Sequence, residues 1–158
     1  RIFGEEYEVR ARIVKIDGTD YTIDYEPAES RTAMYGGNSN WRGPVWFPIN
    51  HLVIESLERY HMYLGDDFTV ECPTGSGTLM NLRQVADELR HRLVSLFLPD
   101  ATGRRPCNRR YPLLDADGWN ERVAFNEYFD GDDGAGLGAD HQTGWTGLVA
   151  DLIIGRKG

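Results

Sequence analysis

The chain has 158 residues, enough for one ordinary domain with a core of its own. Its 41% hydrophobic and 27% charged residues exclude a disordered chain, and no run approaches the ~18 consecutive apolar residues of a transmembrane helix. A net charge of -8 argues against nucleic acid as a partner, and nothing in the pattern points to a membrane partner. Beginning on Arg1, without a signal-peptide pattern, and stopping at Gly158 just after an apolar stretch, the chain reads as cut from a longer protein. From Tyr7 the apolar residues alternate: Tyr7, Val9, Ala11 and Ile13, then Tyr21, Ile23 and Tyr25 beyond Asp17-Gly18. That dipeptide favours a tight turn with positive φ, so a β-hairpin is predicted over the first 26 residues. Residues 25–40 carry turn chemistry without a period and are predicted as a loop.

The pattern then becomes helical. Ile49, Leu52, Val53, Leu57, Tyr60 and Leu64 form one stripe of a helix over 46–64, with Pro48 in its first turn and Gly65 at its end. Leu82, Val85, Ala86, Leu89, Leu93, Leu96 and Phe97 mark a second helix over 79–98, where Asn81 and Gln84 have capping-box spacing. A shorter helix is predicted from Trp119 to Tyr128, and a last one from Thr143 through Leu152 and Ile153. With one hairpin and four helices, helix must pack on helix, giving a mainly α fold. The first two helices should run antiparallel, with Trp41, Arg42, Glu127 and Trp145 meeting at one end. Cys72 and Cys107 have no CxxC spacing and read as reduced thiols, which with the acidic composition suggests a cytoplasmic protein.

Several familiar motifs fail on inspection. "CPTGSGTLM" lacks the lysine of a phosphate-binding loop, Thr78 standing in its place. "DGDDGAGLGADH" has Ala135 where a calcium loop needs glycine and His141 where it needs glutamate, so a hydrogen-bonded acidic turn is expected. The four histidines have no metal-ligand spacing, there is no G-x-S-x-G elbow, and no cofactor or metal is predicted. The basic stretch "GRRPCNRR" is taken as a solvated loop.

Two segments remain. In "GGNSNWRGPVWFPIN", Asn40, Trp41, Arg42, Gly43 and Trp46 combine aromatic faces with polar donors at a helix entry. Sugars bind to such surfaces, their C–H faces stacking while Arg and Asn meet hydroxyls; structural tryptophans are the bland alternative. In "FNEYFDGDDGAGLGADHQTGWTG", Glu127 lies among Phe125, Tyr128 and Phe129, surroundings that raise a carboxylate's pKa and suit it to acid–base work. Glycines 131, 134, 136 and 138 would let the backbone approach a ligand. A surface glutamate before a flexible loop is the competing reading.

These two blocks, with "GDDFTVECPTGSG" between them, resemble the C-terminal catalytic region of bacterial members of glycoside hydrolase family 63, from about Tyr25 to Ile154. The resemblance implies part of an (α/α)6 toroid, residues 36–154 supplying helices and residues 1–26 a hairpin insertion. It implies inverting hydrolysis of α-glycosidic bonds, glucosidase-like, in an oligosaccharide or small α-glycoside. By the same resemblance Glu127 is the general base. Trp41, Arg42, Gly43 and Trp46, joined by Asn40, Tyr128, Gln142 and Trp145, form the sugar site. Inversion needs a general acid roughly 6.5–9.5 Å from the base. The family's acid belongs to an upstream segment that residues 1–35 do not match, so the missing N-terminal part of the same chain is the expected partner. Asp66, Asp67, Asp130, Asp132 and Asp133 are conceivable substitutes without support from the resemblance. Two other functions stay open: a glycoside phosphorylase on the same fold, and a non-catalytic carbohydrate-binding or interaction module.

Overall fold

The computed structural model describes residues 12–23, 25–29, 41, 43–116, 118–119 and 121–155. Strands β1 (Arg12–Ile16) and β2 (Thr19–Ile23) pair antiparallel around Asp17 and Gly18, both at positive φ, as the dipeptide demands. Every side chain from residue 13 to 22 is exposed, so the hairpin stands off the core.

Helix α1 spans Phe47–Leu64, begun by Pro48 and stopped by Gly65 at φ 75°. Strands β3 (Thr69–Glu71) and β4 (Leu79–Asn81) form a second hairpin, and α2 (Leu82–Ser95) follows. The Asn81 side chain accepts from the Gln84 N–H while the Gln84 side chain accepts from the Asn81 N–H, closing the predicted capping box. Three ties fix α1 and α2 antiparallel. Phe47 meets Phe97 edge-on at 5.7 Å, Glu58 pairs with Arg90, and Asn81 donates to Asp66 at 2.9 Å. The helices bury one apolar seam: Phe47 and Ile54 from α1, spaced by seven, and Ala86 and Leu93 from α2.

The apolar stripe predicted on α1 is mostly exposed. Ile49, Leu52, Val53, Tyr60 and Leu64 face solvent and only Leu57 packs partly on the core. The periodicity was right, but α1 is apolar on more than one face, and α2 covers the other.

Among the described residues the expected helix from Trp119 to Tyr128 is absent. Residues 122–126 are irregular, and β5 (Tyr128–Phe129) pairs with β6 (Gly136–Leu137) in a third hairpin. Long-range backbone bonds override the local preference: Gln142 donates to the Phe125 carbonyl and Glu127 to that of Ala139, while Val45 and Phe129 exchange both their bonds. The last helix comes in two pieces, α3 (Thr143–Thr146) and α4 (Val149–Ile154), with the Ala150 N–H reaching back only to Gly147 at the junction. The described residues thus combine helices with three short hairpins, where helices alone were expected after the first.

Candidate functional site

The segment before α1, the β5–β6 hairpin and α3 meet at the N-terminal end of α1. There Trp46 stacks on Trp41 at 4.1 Å and on Tyr128 at 4.5 Å, and Trp145 tilts against both tryptophans at 5.7 and 6.2 Å. Their burial differs sharply. Trp46 is 4% exposed and Tyr128 1%, whereas Trp41 is 55% exposed and Trp145 half-buried. Trp46 and Tyr128 therefore form the floor of an aromatic stack, and Trp41 with the rim of Trp145 presents its outer face. Asn40 and Arg42 lie outside the described residues.

Glu127 adjoins this stack, half-buried. Its N–H donates to the Ala139 carbonyl at 3.0 Å, and its carboxylate Oε2 accepts from the Ala139 N–H at 3.3 Å. Gly138, at φ 69°, is required here. A Cβ on it would lie 2.8 Å from Oε2 of Glu127 and 2.6 Å from the Tyr128 ring. Carboxylate and ring edge therefore share one contact point. Gln142 begins α3, its N–H bonded to Phe125 and its carbonyl accepting from Trp145 and Thr146.

Several of the glycines let segments of the chain itself approach closely. A Cβ on Gly43 would fall 1.3 Å from the Glu26 carbonyl oxygen, and one on Gly131 would fall 2.5 Å from that of Gly43. Gly131 also donates to Pro27 at 2.6 Å, so three backbone segments cross where no side chain fits. A Cβ on Gly136 would strike the Asn126 amide. The acidic loop is a turn stitched by its own carboxylates: Asp130 accepts from Asp132 N–H and Asp133 from Ala135 N–H, while Arg110 pairs with Asp130 at 3.0 Å.

The other acidic residues are engaged or distant. Asp132 accepts from the Tyr25 hydroxyl at 2.8 Å. Asp66 and Asp67 lie beyond the far end of α1, whose 18 residues span roughly 27 Å at 1.5 Å each. That is far outside the separation two cooperating carboxyls need. Sequence reasoning passed over Asn126, Tyr111 and Asp140, a hydrogen-bonded group directly behind Glu127. Their one visible signal was a polar residue next to the glutamate in an aromatic run.

No family model matches the chain. It is 50% identical over 143 residues to an uncharacterized protein of Saccharomyces cerevisiae, YMR196W, covering 89% of this chain and 13% of that relative. It is 29% identical over 123 residues to the mannosyl-oligosaccharide glucosidase of the same yeast, covering 77% of this chain and 12% of that protein. A probable mannosyl-oligosaccharide glucosidase of Schizosaccharomyces pombe is 27% identical over 118 residues, 74% of this chain and 11% of its own length. The chain is thus distantly similar to glucosidases, and it spans only about an eighth of these relatives. All three are yeast proteins, so they lend no support to the bacterial affiliation suggested by sequence.

Proposed function

We propose that this chain is the general-base portion of an inverting α-glycosidase related to glycoside hydrolase family 63. It would belong to a longer protein whose remaining helices complete an (α/α)6 toroid. The carrying observation is the placement of Glu127: a half-buried carboxylate, held by the Ala139 N–H, against an aromatic stack with one exposed tryptophan face. The similarity to mannosyl-oligosaccharide glucosidases supports the same chemistry, and glucose is the first candidate sugar.

In this mechanism the C–H face of a sugar ring lies on Trp41, above the floor of Trp46 and Tyr128. Arg42, Asn40, Gln142 and Trp145 meet its other edges. Glu127 removes a proton from a water as that water attacks the anomeric carbon, on the face opposite the leaving group. A carboxylic acid from the rest of the protein protonates the departing oxygen. Fixing the carboxylate through Ala139 keeps it aimed at the water without reorganisation in the transition state. No described helix is long and apolar enough to cross a membrane; a cytoplasmic location is part of the proposal, resting on the acidic composition and the free thiols Cys72 and Cys107.

The test is Glu127→Gln in the full-length protein. The amide keeps size and shape but cannot take the proton, so kcat should fall by roughly 10²–10⁴-fold with KM little changed. The anomer first released, followed by NMR, should be inverted. A retained anomer would overturn the assignment of Glu127 as base, because water activated on the opposite face can only invert.

A further inference from the structure

Asn126 is fully buried beside the half-exposed Glu127. The two neighbours point to opposite sides, as successive residues of an extended segment do. Glu127 bonds twice to Ala139, and Asn126 reaches the next residue along, Asp140. The Asn126 Nδ2 donates to Asp140 Oδ1 at 3.1 Å and to the Tyr111 hydroxyl at 3.0 Å, and that hydroxyl donates to the same Oδ1 at 3.2 Å. The three groups close a triangle. The Asn126 carbonyl also accepts from the Thr146 hydroxyl, next to Trp145 of the aromatic stack.

This amide is not there to fill space. Its Oδ1 has no hydrogen-bond partner among the described residues and abuts Gly136, an arrangement an apolar side chain of equal size would avoid. The useful end is the donor end, which grips Asp140.

We infer that Asn126, with Tyr111 and Asp140, is a positioning unit that holds the Ala139 N–H against Glu127 and so sets the direction of its carboxylate. The inference rests on the reading of Glu127 as the base. Loss of the grip frees the 138–140 segment, the Ala139 N–H drifts and the carboxylate loses its aim. The substrate's contacts with the aromatic stack are untouched, so the effect falls on kcat rather than KM.

Adding a like charge and then swapping donor and acceptor tests it in the full-length protein, with α-glucosyl fluoride as probe, since fluoride departs with little help from an acid. N126D places a carboxylate about 3 Å from that of Asp140, where like charges repel. It should lower kcat on the order of 10- to 100-fold, as for a small misplacement of a catalytic group, with KM little changed. N126D/D140N restores one donor and one acceptor in reverse order and should regain most of the rate. Y111F removes a single corner and should cost less. Hydrogen exchange at the Ala139 amide should quicken in N126D and return to the parental rate in the double variant. Parental kcat in N126D, or a double variant no faster than N126D, overturns the proposal. Should N126D not fold, the double variant and Y111F decide: both must fold, with Ala139 exchange near-parental in the former and faster in the latter. Should Glu127→Gln retain full activity, the base assignment falls, and the positioning unit stands or falls on Ala139 exchange alone.

Discussion

Cys107 and Tyr111 lie close together behind the candidate site, in the segment that joins α2 to the β5–β6 hairpin. Burial pushes the Cys107 thiol up to about 11, against a weaker opposing pull from Arg105. Burial also raises the Tyr111 hydroxyl, partly offset by the bond from Asn126. Both folded values exceed the unfolded ones, roughly 8.5 for a thiol and 10 for a phenol. The native state thus holds protons that the unfolded chain releases, so this stability is complete below about pH 8 and is lost as pH rises toward the folded values. The urea midpoint should fall between pH 8 and 10.5, and Cys107→Ala should flatten the early part of that slope. An equal slope in the variant would mean that the thiol is not the group responsible. The same two residues show how chemistry and packing overlap here: burial of the Tyr111 hydroxyl extends the pH range over which it stays protonated, and a protonated hydroxyl can donate to Asp140.

Asn81 joins three elements, ending β4, capping α2 and donating to Asp66 just past α1. Asn81→Ala should cost about 1 kcal/mol for the cap, with a smaller exposed-bond loss to Asp66. Asn81→Ser keeps an oxygen for the Gln84 N–H and removes only the donor to Asp66, so it should retain most of the stability in thermal unfolding. Equal losses in the two variants would count against the cap as the main contribution. This element was legible beforehand because its signals are local: an Asn, a Gln three residues on, then a stripe of period 3.6. The Asp17-Gly18 turn and the Pro48 and Gly65 boundaries were readable for the same reason. The segment from Trp119 to Tyr128 was not. Its state is decided by Ala139, Gln142 and Val45, which are distant in sequence, and no local pattern records such partners. The site divides along the same line. Aromatics and glutamate announced themselves by type, whereas the burial of Trp46, the crossing at Gly43 and the grip of Asn126 exist only once the three segments meet.

At the scale of the molecule, α1 is an amphipathic helix with one face too many. Ile49, Leu52, Val53, Leu57 and Tyr60 line a shallow apolar groove of about 300 Å³ on the side away from α2. Leu52 is 58% exposed and Tyr60 61%. A continuous apolar surface of this kind marks an interface, and relatives about seven times as long as this chain supply ample chain to cover it. In the proposed toroid, helices from the rest of the protein lie on this face. The isolated 158-residue chain should therefore self-associate on sizing, at a concentration where a compact 17.9 kDa monomer would otherwise elute alone. L52E/Y60E should restore the monomer without changing helix content, because neither side chain contributes to the described core. The same pair in the full-length protein should do the opposite, destabilising it by several kcal/mol, since it would bury two carboxylates without partners. The contrast is what tests the idea. Sticky surfaces in general predict only the first result, and an interior α1 face predicts both. A full-length protein as stable with L52E/Y60E as without would show that this face meets solvent there too.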